Sequence, residues 1–228
     1  MKKEEMKNSC LFDTTHTMAR LLFEQNEYPW EVIPKIGEFI ASLGERLPKE
    51  EYNHIGKAIW VHKSVKVPPT ACLAENMIVC KGAQIRHGAF FRGNVLVGEG
   101  AVVGNSTELK NVILFDGVQV PHYNYVGDSI LGYKAHLGAS ALTSNVKSDK
   151  SLVVIHGEDG DIETGLKKLG AIVGDHVEVG CGTVLNPGTV VGSNSNIYPL
   201  SSVRGCVAAN SIYKKQGEIA EKTMAAEE

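Results

Sequence analysis

One short stretch of the chain gathers side chains that can accept, donate and orient protons. His122, Asn124, Tyr125 and Asp128 fall within the segment PHYNYVGD. Histidine is the side chain whose ordinary pKa lies closest to neutral pH, so His122 is a candidate general base. A lone histidine is more often a surface or structural residue. Whether His122 is a good candidate for catalysis therefore depends on its place in the chain.

The elements that must position this stretch are six-residue repeats. Apolar residues recur at every sixth position from Ile55 to Phe115, and a mostly small or aliphatic residue stands four positions after each one. Neither a helix nor a simple strand has this period. One hexapeptide cannot bury its apolar face alone, whereas stacked copies build a continuous core. The pattern predicts a parallel β-helix, and it returns in a new phase from Val173 to Val203.

The repeat first fails around the candidate base. Pro121 stands where the frame of Phe115 requires an aliphatic residue, and the period resumes only at Leu131. A repeat is expected to be interrupted where the function requires other residues. We therefore predict a phase slip between Phe115 and Leu131, with His122 and Tyr125 inside it.

A second break, at about 144–168, predicts an inserted loop that is partly ordered, with a strand and a turn over SLVVIHGEDGD. Its carboxylates are most simply those of a solvated turn. Lys167 and Lys168 stand where the repeat resumes, and two interpretations are open for them. Either they are ordinary exposed lysines, or they hold an anionic substrate.

The first fifty residues have a different pattern. MARLLFEQ and WEVIPKIGEFIASL carry apolar residues at helical spacing, and the second helix begins at Pro29 or at Pro34. An uncovered terminal coil would expose its core and strand edges. We therefore expect 1–50 to form a helical cap over the open end of the solenoid, 51–206 the β-helix, and 207–228 a C-terminal tail.

Composition narrows the class of protein. The net charge is −3 and no run is dense in Lys or Arg, which argues against a nucleic-acid partner. The five cysteines are an odd number without a C-x-x-C pair, which favours reduced, packing thiols. No signal peptide or membrane-spanning apolar run is present in the sequence. We expect a soluble, cytoplasmic protein with no membrane partner.

Several motifs together resemble a known family. The chain is similar to the acetyltransferase domain of the bifunctional glucosamine-1-phosphate acetyltransferase / N-acetylglucosamine-1-phosphate uridyltransferase family, and closer still to the archaeal-type sugar-1-phosphate nucleotidylyltransferase/acetyltransferases. The resemblance covers about residues 55–215, and we expect the nucleotidylyltransferase domain to be lacking. The motifs are ELKN at 108–111, HYNYVGD at 122–128, LGAS at 137–140, SN at 144–145 and KKLGAIVGD at 167–175.

The resemblance implies a left-handed parallel β-helix that assembles as a homotrimer, with acyl-CoA sites between adjacent subunits. It also implies roles for individual residues. His122 matches the general base. Arg92 and Lys110 match basic residues that hold the sugar phosphate, and Tyr125 and Lys168 match acceptor-site residues.

Other residues match or replace family residues near the two substrates. Ala139 and Asn145 match residues near acetyl-CoA. His136 replaces an asparagine that contacts the sugar, and Cys181 replaces a serine near the cofactor.

The chemistry of these residue types agrees with the implied roles. Amide formation from acetyl-CoA needs a neutral amine, and a histidine can take its proton during attack on the thioester. A backbone N–H at the Gly138–Ala139 corner can stabilise the resulting oxyanion. No metal is required. We expect an acetyl-CoA-dependent N-acetyltransferase that acts on an amino-sugar 1-phosphate resembling glucosamine 1-phosphate.

Two other classes of protein also use this fold. One is a non-catalytic module that binds a sugar phosphate or nucleotide sugar and regulates a separate nucleotidylyltransferase; it would have no need of a base at His122. The other is a trimeric zinc enzyme with three histidine ligands. His87 and His122 have roughly the required separation, but position 127 is Gly127, so the three-histidine set is not formed.

Overall fold

The computed structural model describes residues 1–215 and 218–221, and the hexapeptides in it form a β-solenoid. Nearly all neighbouring strands are parallel and lie one coil apart, which confirms the predicted all-β solenoid. Each coil has three short faces joined by corners. The left-handed sense of the coil stays a prediction from the resemblance.

The first face begins with an antiparallel pair, Tyr52–Gly56 and Ile59–His62, and continues in parallel. Its later strands are Met77–Val79, Val95–Val97, the second half of Glu108–Leu114, the second half of Tyr125–Leu131, Ala171–Val173, Thr189–Val191 and Cys206–Val207.

The other two faces carry shorter strands. The second face contains Gln84–Ile85, Val102–Asn105, Gln119–His122, His136–Leu137, Glu178–Val179, Asn196–Ile197 and Ser211–Lys215. The third contains Cys72–Leu73, Phe90–Phe91, the first halves of Glu108–Leu114 and Tyr125–Leu131, Leu142–Thr143, Val184–Leu185 and Ser202–Val203.

The change of phase in the repeat arises at two shortened corners. The corner that leads from the third face to the first has three residues between Phe91 and Val95. One coil later it has only two, Lys110 and Asn111, between Leu109 and Val112. The same shortening recurs one coil later at 127–128.

The predicted slip between Phe115 and Leu131 therefore contains the second shortened corner, at 127–128, but the first one, at 110–111, lies before it. Leu114, not Phe115, pairs with Val97 and takes the repeat position. Pro121 belongs to an ordinary corner, because Val120 before it pairs in register with Val103.

The N-terminal segment contains only short helices, and within the described part of the chain no helix combines the length and apolar character needed to cross a membrane. Tyr28 precedes a helix with proline in its first turn, and the Glu31 carboxylate accepts a hydrogen bond from the Tyr28 backbone N–H at 3.0 Å. The helices are Lys3–Met6, Asn8–Leu11, Thr14–His16, Arg20–Glu24, Pro29–Val32, Ile33–Lys35 and Ile36–Gly44.

This segment lies along the side of the solenoid, so its predicted position over the open end is wrong. The Leu11 carbonyl oxygen accepts hydrogen bonds from the late coils, at Asp175 N and Ser193 Oγ. Gly44, at the other end of the segment, packs on the Trp60 ring in the first coil. The segment thus runs antiparallel to the direction in which the coils grow.

The first face is buried on both sides because of this segment. Its outer residues are fully buried, whereas outer residues of the other two faces are mostly exposed or half-buried. Covering a Leu or Ile side chain contributes about 1.5–3 kcal/mol to folding. The covered residues are Ile78, Leu96, Ile113, Ile130, Ile172 and Val190.

The insertion at 144–168 forms an ordered antiparallel hairpin, Val154–Gly157 with Gly160–Glu163. Val153 and Ile155 are buried, and the Met1 amino group pairs with Glu158 in the turn. The hairpin is therefore part of the packed structure.

The coils continue past residue 206, where the sequence placed the end of the β-helix. Cys206–Val207 and Ser211–Lys215 add to the first and second faces, and Glu218–Glu221 turns back antiparallel. Residues 216–217 and 222–228 of the expected tail lie outside the described residues.

Candidate functional site

A polar cluster around Asp128 occupies the two shortened corners. Asp128 is 4 % exposed and has a φ of 47°, a conformation that Asp tolerates better than most residues. Its Oδ1 accepts from Asn111 Nδ2 at 3.1 Å, and its Oδ2 accepts from Asn145 Nδ2 at 2.5 Å. Lys110 Nζ lies 3.3 Å from Oδ2. The buried carboxylate is thus surrounded by donors, as a buried charge requires.

Tyr125 stands beside this cluster on the third face. Its hydroxyl oxygen accepts from Asn145 Nδ2 at 3.2 Å. A Cβ at Gly127 would lie 2.4 Å from that oxygen, so glycine is what lets the phenol lie over the corner. Burial, with the nearby carboxylates of Asp128 and Glu108, raises the pKa of Tyr125 above its usual value. The hydroxyl therefore stays protonated at neutral pH.

Arg92 lies at the preceding coil of the same corner. Its Nη1 donates to Glu108 Oε1 at 2.8 Å, and Glu108 is the strand partner of Tyr125. The Arg92 side chain is 45 % exposed, and a guanidinium has five N–H donors. Arg92 therefore keeps donors free for an anion.

Lys168 approaches the cluster from the inserted hairpin. The backbone N–H groups of the next two residues donate to the cluster, from Leu169 to Asn145 O at 3.1 Å and from Gly170 to Asp128 O at 2.8 Å. Lys168 itself is exposed. The structure thus brings together four predicted site residues, Arg92, Lys110, Tyr125 and Asn145, and joins the backbone that follows Lys168 to them.

His122 lies on a different corner, between the second and third faces, with an exposed side chain. Its backbone N–H donates to Asn124 Oδ1 at 3.1 Å. Asn124 is 2 % exposed and donates to Gly138 O and Ala141 O, both at 2.9 Å. The backbone that carries His122 is therefore fixed while the imidazole is open to a ligand.

Ala139 and Cys181 follow His122 on this corner at successive coils. Ser140 N donates to His122 O at 3.0 Å, and Gly182 N donates to Ala139 O at 2.8 Å. Cys181 is exposed and Ala139 is half-buried. These two predicted cofactor residues thus form one column with His122.

His136 is separated from the Asp128 cluster but lines a cleft together with Cys181. It lies on the second face, where its Nδ1 is 2.7 Å from Glu178 Oε2. Its ring is thereby held by a neighbouring coil, away from the Asp128 cluster.

The third face lies between the two corners. His122 marks one edge, the Lys110–Asp128 pair marks the other, and Tyr125 lies between them. At this level the face contains two strand residues, Tyr125 and Val126, before the corner at 127–128. A candidate base and candidate anion-binding cations therefore border one small platform.

A cleft of about 670 Å³ begins at the cations and continues away from His122. The N-terminal segment forms its apolar wall through Ile33, Pro34 and Ala41. Opposite lie Asn76, Asn94 and Asn111, each at positive φ. Sequence reasoning missed this row, although asparagines at one recurring corner position were a visible signal.

Within residues 1–215 and 218–221, no three His, Cys, Asp or Glu side chains gather as a metal-binding group. His87 and His122 stand two coils apart on one corner, with Asn105 between them.

The fold defines a β-solenoid of the hexapeptide-repeat type. Residues 73–168 match the family described as the GMPPB C-terminal domain. The chain is 34% identical over 131 residues to the "Bifunctional protein GlmU" of Methanococcus maripaludis (strain C5), covering 58% of this chain and 32% of that protein. It is 31% identical over 198 residues to the protein of that name from Methanococcus vannielii, covering 85% and 47%.

These matches confirm the resemblance predicted from the motifs. The chain spans about a third to a half of the length of these two relatives. Among solved structures, the acetyltransferase domain of PglB from Neisseria gonorrhoeae in complex with acetyl coenzyme A matches with a TM-score of 0.34 and 15% identity. That match covers 72% of this chain and 57% of the other.

Proposed function

We propose that this chain is an acetyl-CoA-dependent N-acetyltransferase whose acceptor is an amino sugar phosphorylated at C1. The observation that carries the proposal is the third face, with an exposed imidazole on one edge and a cluster of cations on the other. A sugar ring lying over Tyr125 would present its amine to His122 and its phosphate to Arg92 and Lys110. The relatives named for a bifunctional GlmU activity support this direction.

The reaction needs one base and one oxyanion site. The neutral amine nitrogen attacks the thioester carbonyl carbon while His122 accepts a proton from that nitrogen. The C–N bond forms, the C–S bond breaks, and the departing CoA thiolate takes up the proton. A backbone N–H near Ala139 would stabilise the negative carbonyl oxygen, because this corner stands next along the column from His122.

The acceptor would be held by charge and by hydrogen bonds. Arg92 supplies a planar fork and Lys110 a point charge for the phosphate, with exposed Lys168 beside them. Asp128 is a positioning residue, since it holds Lys110 and Asn145 at fixed places. The protonated phenol of Tyr125 can donate to a sugar oxygen.

Acetyl-CoA would lie along the corner that carries Ala139 and Cys181, with its thioester toward His122. A homotrimer with this cofactor between adjacent subunits is the assembly that the family resemblance implies. Support for the placement comes from the exposure of Cys181 and from the shared column with His122.

The test measures CoA released from acetyl-CoA with glucosamine 1-phosphate and galactosamine 1-phosphate. The His122→Ala variant should lose at least about 100-fold in kcat, the usual contribution of a general base. The matched control is His87→Ala, the same change at an exposed residue on the same corner, and it should keep wild-type turnover.

Equal turnover in the two variants would remove His122 from its role. If the wild type binds amino-sugar phosphates but releases no CoA with any of them, the non-catalytic binding module becomes the better description.

A further inference from the structure

The cleft beside the cations is longer than a sugar phosphate needs. Its lining comes from five successive levels of one corner, from Lys57 through Glu75, Arg92 and Lys110 to Asp128. Neighbouring coils are about 4.8 Å apart, so four steps make a cleft about 19 Å long. About 10 Å of it lies beyond Arg92, on the side of Lys57.

The two walls of this extra length differ in chemistry. Ile33, Pro34 and Ala41 of the N-terminal segment give an apolar side, and Ala58 adds to it from the solenoid. The polar side has Lys57, whose side chain is 83% exposed, with asparagine side chains along the corner. A ligand that fits both walls has a flat, partly apolar ring joined to an anionic chain.

The N-terminal wall is held in place by hydrogen bonds to the corner asparagines. Asn111 Nδ2 donates to Ile33 O at 3.3 Å, and Asn76 Nδ2 donates to Gly37 O at 2.9 Å. A Cβ at Gly37 would lie 2.9 Å from Asn94 Oδ1, so a glycine is needed for this close approach. The wall is therefore a built part of the cleft.

Each cation that lines the cleft is paired with a carboxylate. Lys57 Nζ is 2.6 Å from Glu75, and both side chains are exposed. Exposed ion pairs of this kind are weak, so exchanging a carboxylate partner for a phosphate costs little. A second phosphate placed toward Lys57 would meet a cation that is free to reorient.

We propose that this cleft binds a nucleoside diphosphate, so that the C1 phosphate of the amino-sugar acceptor can be linked to a nucleotide. This inference rests on the proposed function for the sugar end. It assigns the nucleotide end to residues 33–41 of the N-terminal segment and to Lys57.

The decisive measurement is binding without acetyl-CoA, by isothermal titration of the full chain with uridine, guanosine and thymidine diphosphates and with inorganic phosphate. At least one nucleoside diphosphate should bind with a Kd at least tenfold lower than that of phosphate. Ala41→Trp, which fills the cleft, should raise that Kd at least tenfold. Ser42→Trp, on the exposed side of the same helix, should leave it unchanged, and thermal unfolding of each variant checks that it folds.

A second variant uses the exposed end of the cleft. Lys57→Gln should raise the Kd of the nucleoside diphosphate several-fold and leave that of phosphate unchanged. The proposal is overturned if no nucleoside diphosphate binds more tightly than phosphate, or if the two tryptophan variants behave alike.

Turnover separates this inference from the proposed function. A chain that acetylates glucosamine 1-phosphate but binds no nucleoside diphosphate keeps the proposed function and overturns the cleft assignment. A chain that binds nucleoside diphosphates in an Ala41-dependent way but acetylates no amino sugar supports the cleft and refutes the acetyltransferase.

Discussion

Phe115 of the solenoid meets Phe23 of the N-terminal segment edge to face, with 5.1 Å between ring centroids and an interplanar angle of 78°. Phe12 lies at the same centroid distance from Phe115, and all three rings are buried. The ring that begins the predicted phase slip therefore packs outside the coil, against the N-terminal segment. The segment and the solenoid share one hydrophobic interior.

Removal of the Phe115 ring should weaken the packing between the N-terminal segment and the solenoid. Phe115→Ala should lower the free energy of unfolding by about 3–5 kcal/mol, because it deletes a fully buried aromatic ring. Urea unfolding followed by circular dichroism measures the loss. Phe90→Ala is the control, since Phe90 is 39% exposed, and it should cost much less. Equal losses would contradict the packing described for Phe115.

Asp128 should affect the acceptor more than the acetyl donor. Asp128→Asn removes the charge that positions Lys110, so we expect the KM of the acceptor to rise about tenfold, as for a lost charged hydrogen bond. The KM of acetyl-CoA should stay near the wild-type value. Steady-state kinetics with each substrate varied in turn separates the two constants. Asp149→Asn, at an exposed carboxylate of the insertion, should change neither.

The cysteines should divide into two reactivity classes. Burial raises the pKa of Cys80 to about 12 and that of Cys206 to about 11, so both stay protonated at pH 8. Cys10, Cys72 and Cys181 are exposed and should be alkylated first. Peptide mapping by mass spectrometry after brief alkylation shows the order, and rapid labelling of Cys80 would contradict its burial.

The same labelling tests the column proposed for acetyl-CoA. Saturating CoA should slow the alkylation of Cys181 by at least about tenfold, because a bound ligand covers the thiol. Cys72 stands on the third face in the first coils, away from that column, and its rate should not change. Protection of neither cysteine would place the cofactor elsewhere.

Assembly can be measured directly. If the chain is a homotrimer, as the family resemblance implies, light scattering should give about 74 kDa for three chains of 24.6 kDa. A monomeric mass at micromolar concentration would remove the intersubunit site.

Much of the fold could be predicted because its period is local. The spacing from Ile55 onward predicts stacked coils, and His122, Lys110 and Tyr125 were selected by motifs that survive a small shift of register. The first shortened corner, at 110–111, was missed because Phe115 is apolar and fits the six-residue frame by coincidence. Its partners lie about a hundred residues earlier in the chain, at Phe12 and Phe23, and no local pattern shows them.

The position of the N-terminal segment had a signal in the sequence. On the first face the apolar residues come in unbroken triplets such as Met77–Val79, Val95–Val97 and Ala171–Val173, as in strands buried on both sides. A search for one apolar residue in every six does not detect these triplets. The cleft could not be predicted, because it depends on which asparagine meets which carbonyl group of the segment.

The N-terminal segment, which joins the late coils to the first, also changes how this repeat protein should unfold. In a simple solenoid each coil touches only its neighbours, so terminal coils fray and stability grows coil by coil. Here the Leu11 carbonyl oxygen bonds to Asp175 and Ser193 across very long sequence separations, and Gly44 packs on Trp60, so one segment joins the late coils to the first. We expect such a chain to fold slowly and to melt in one cooperative step, as a globular domain does.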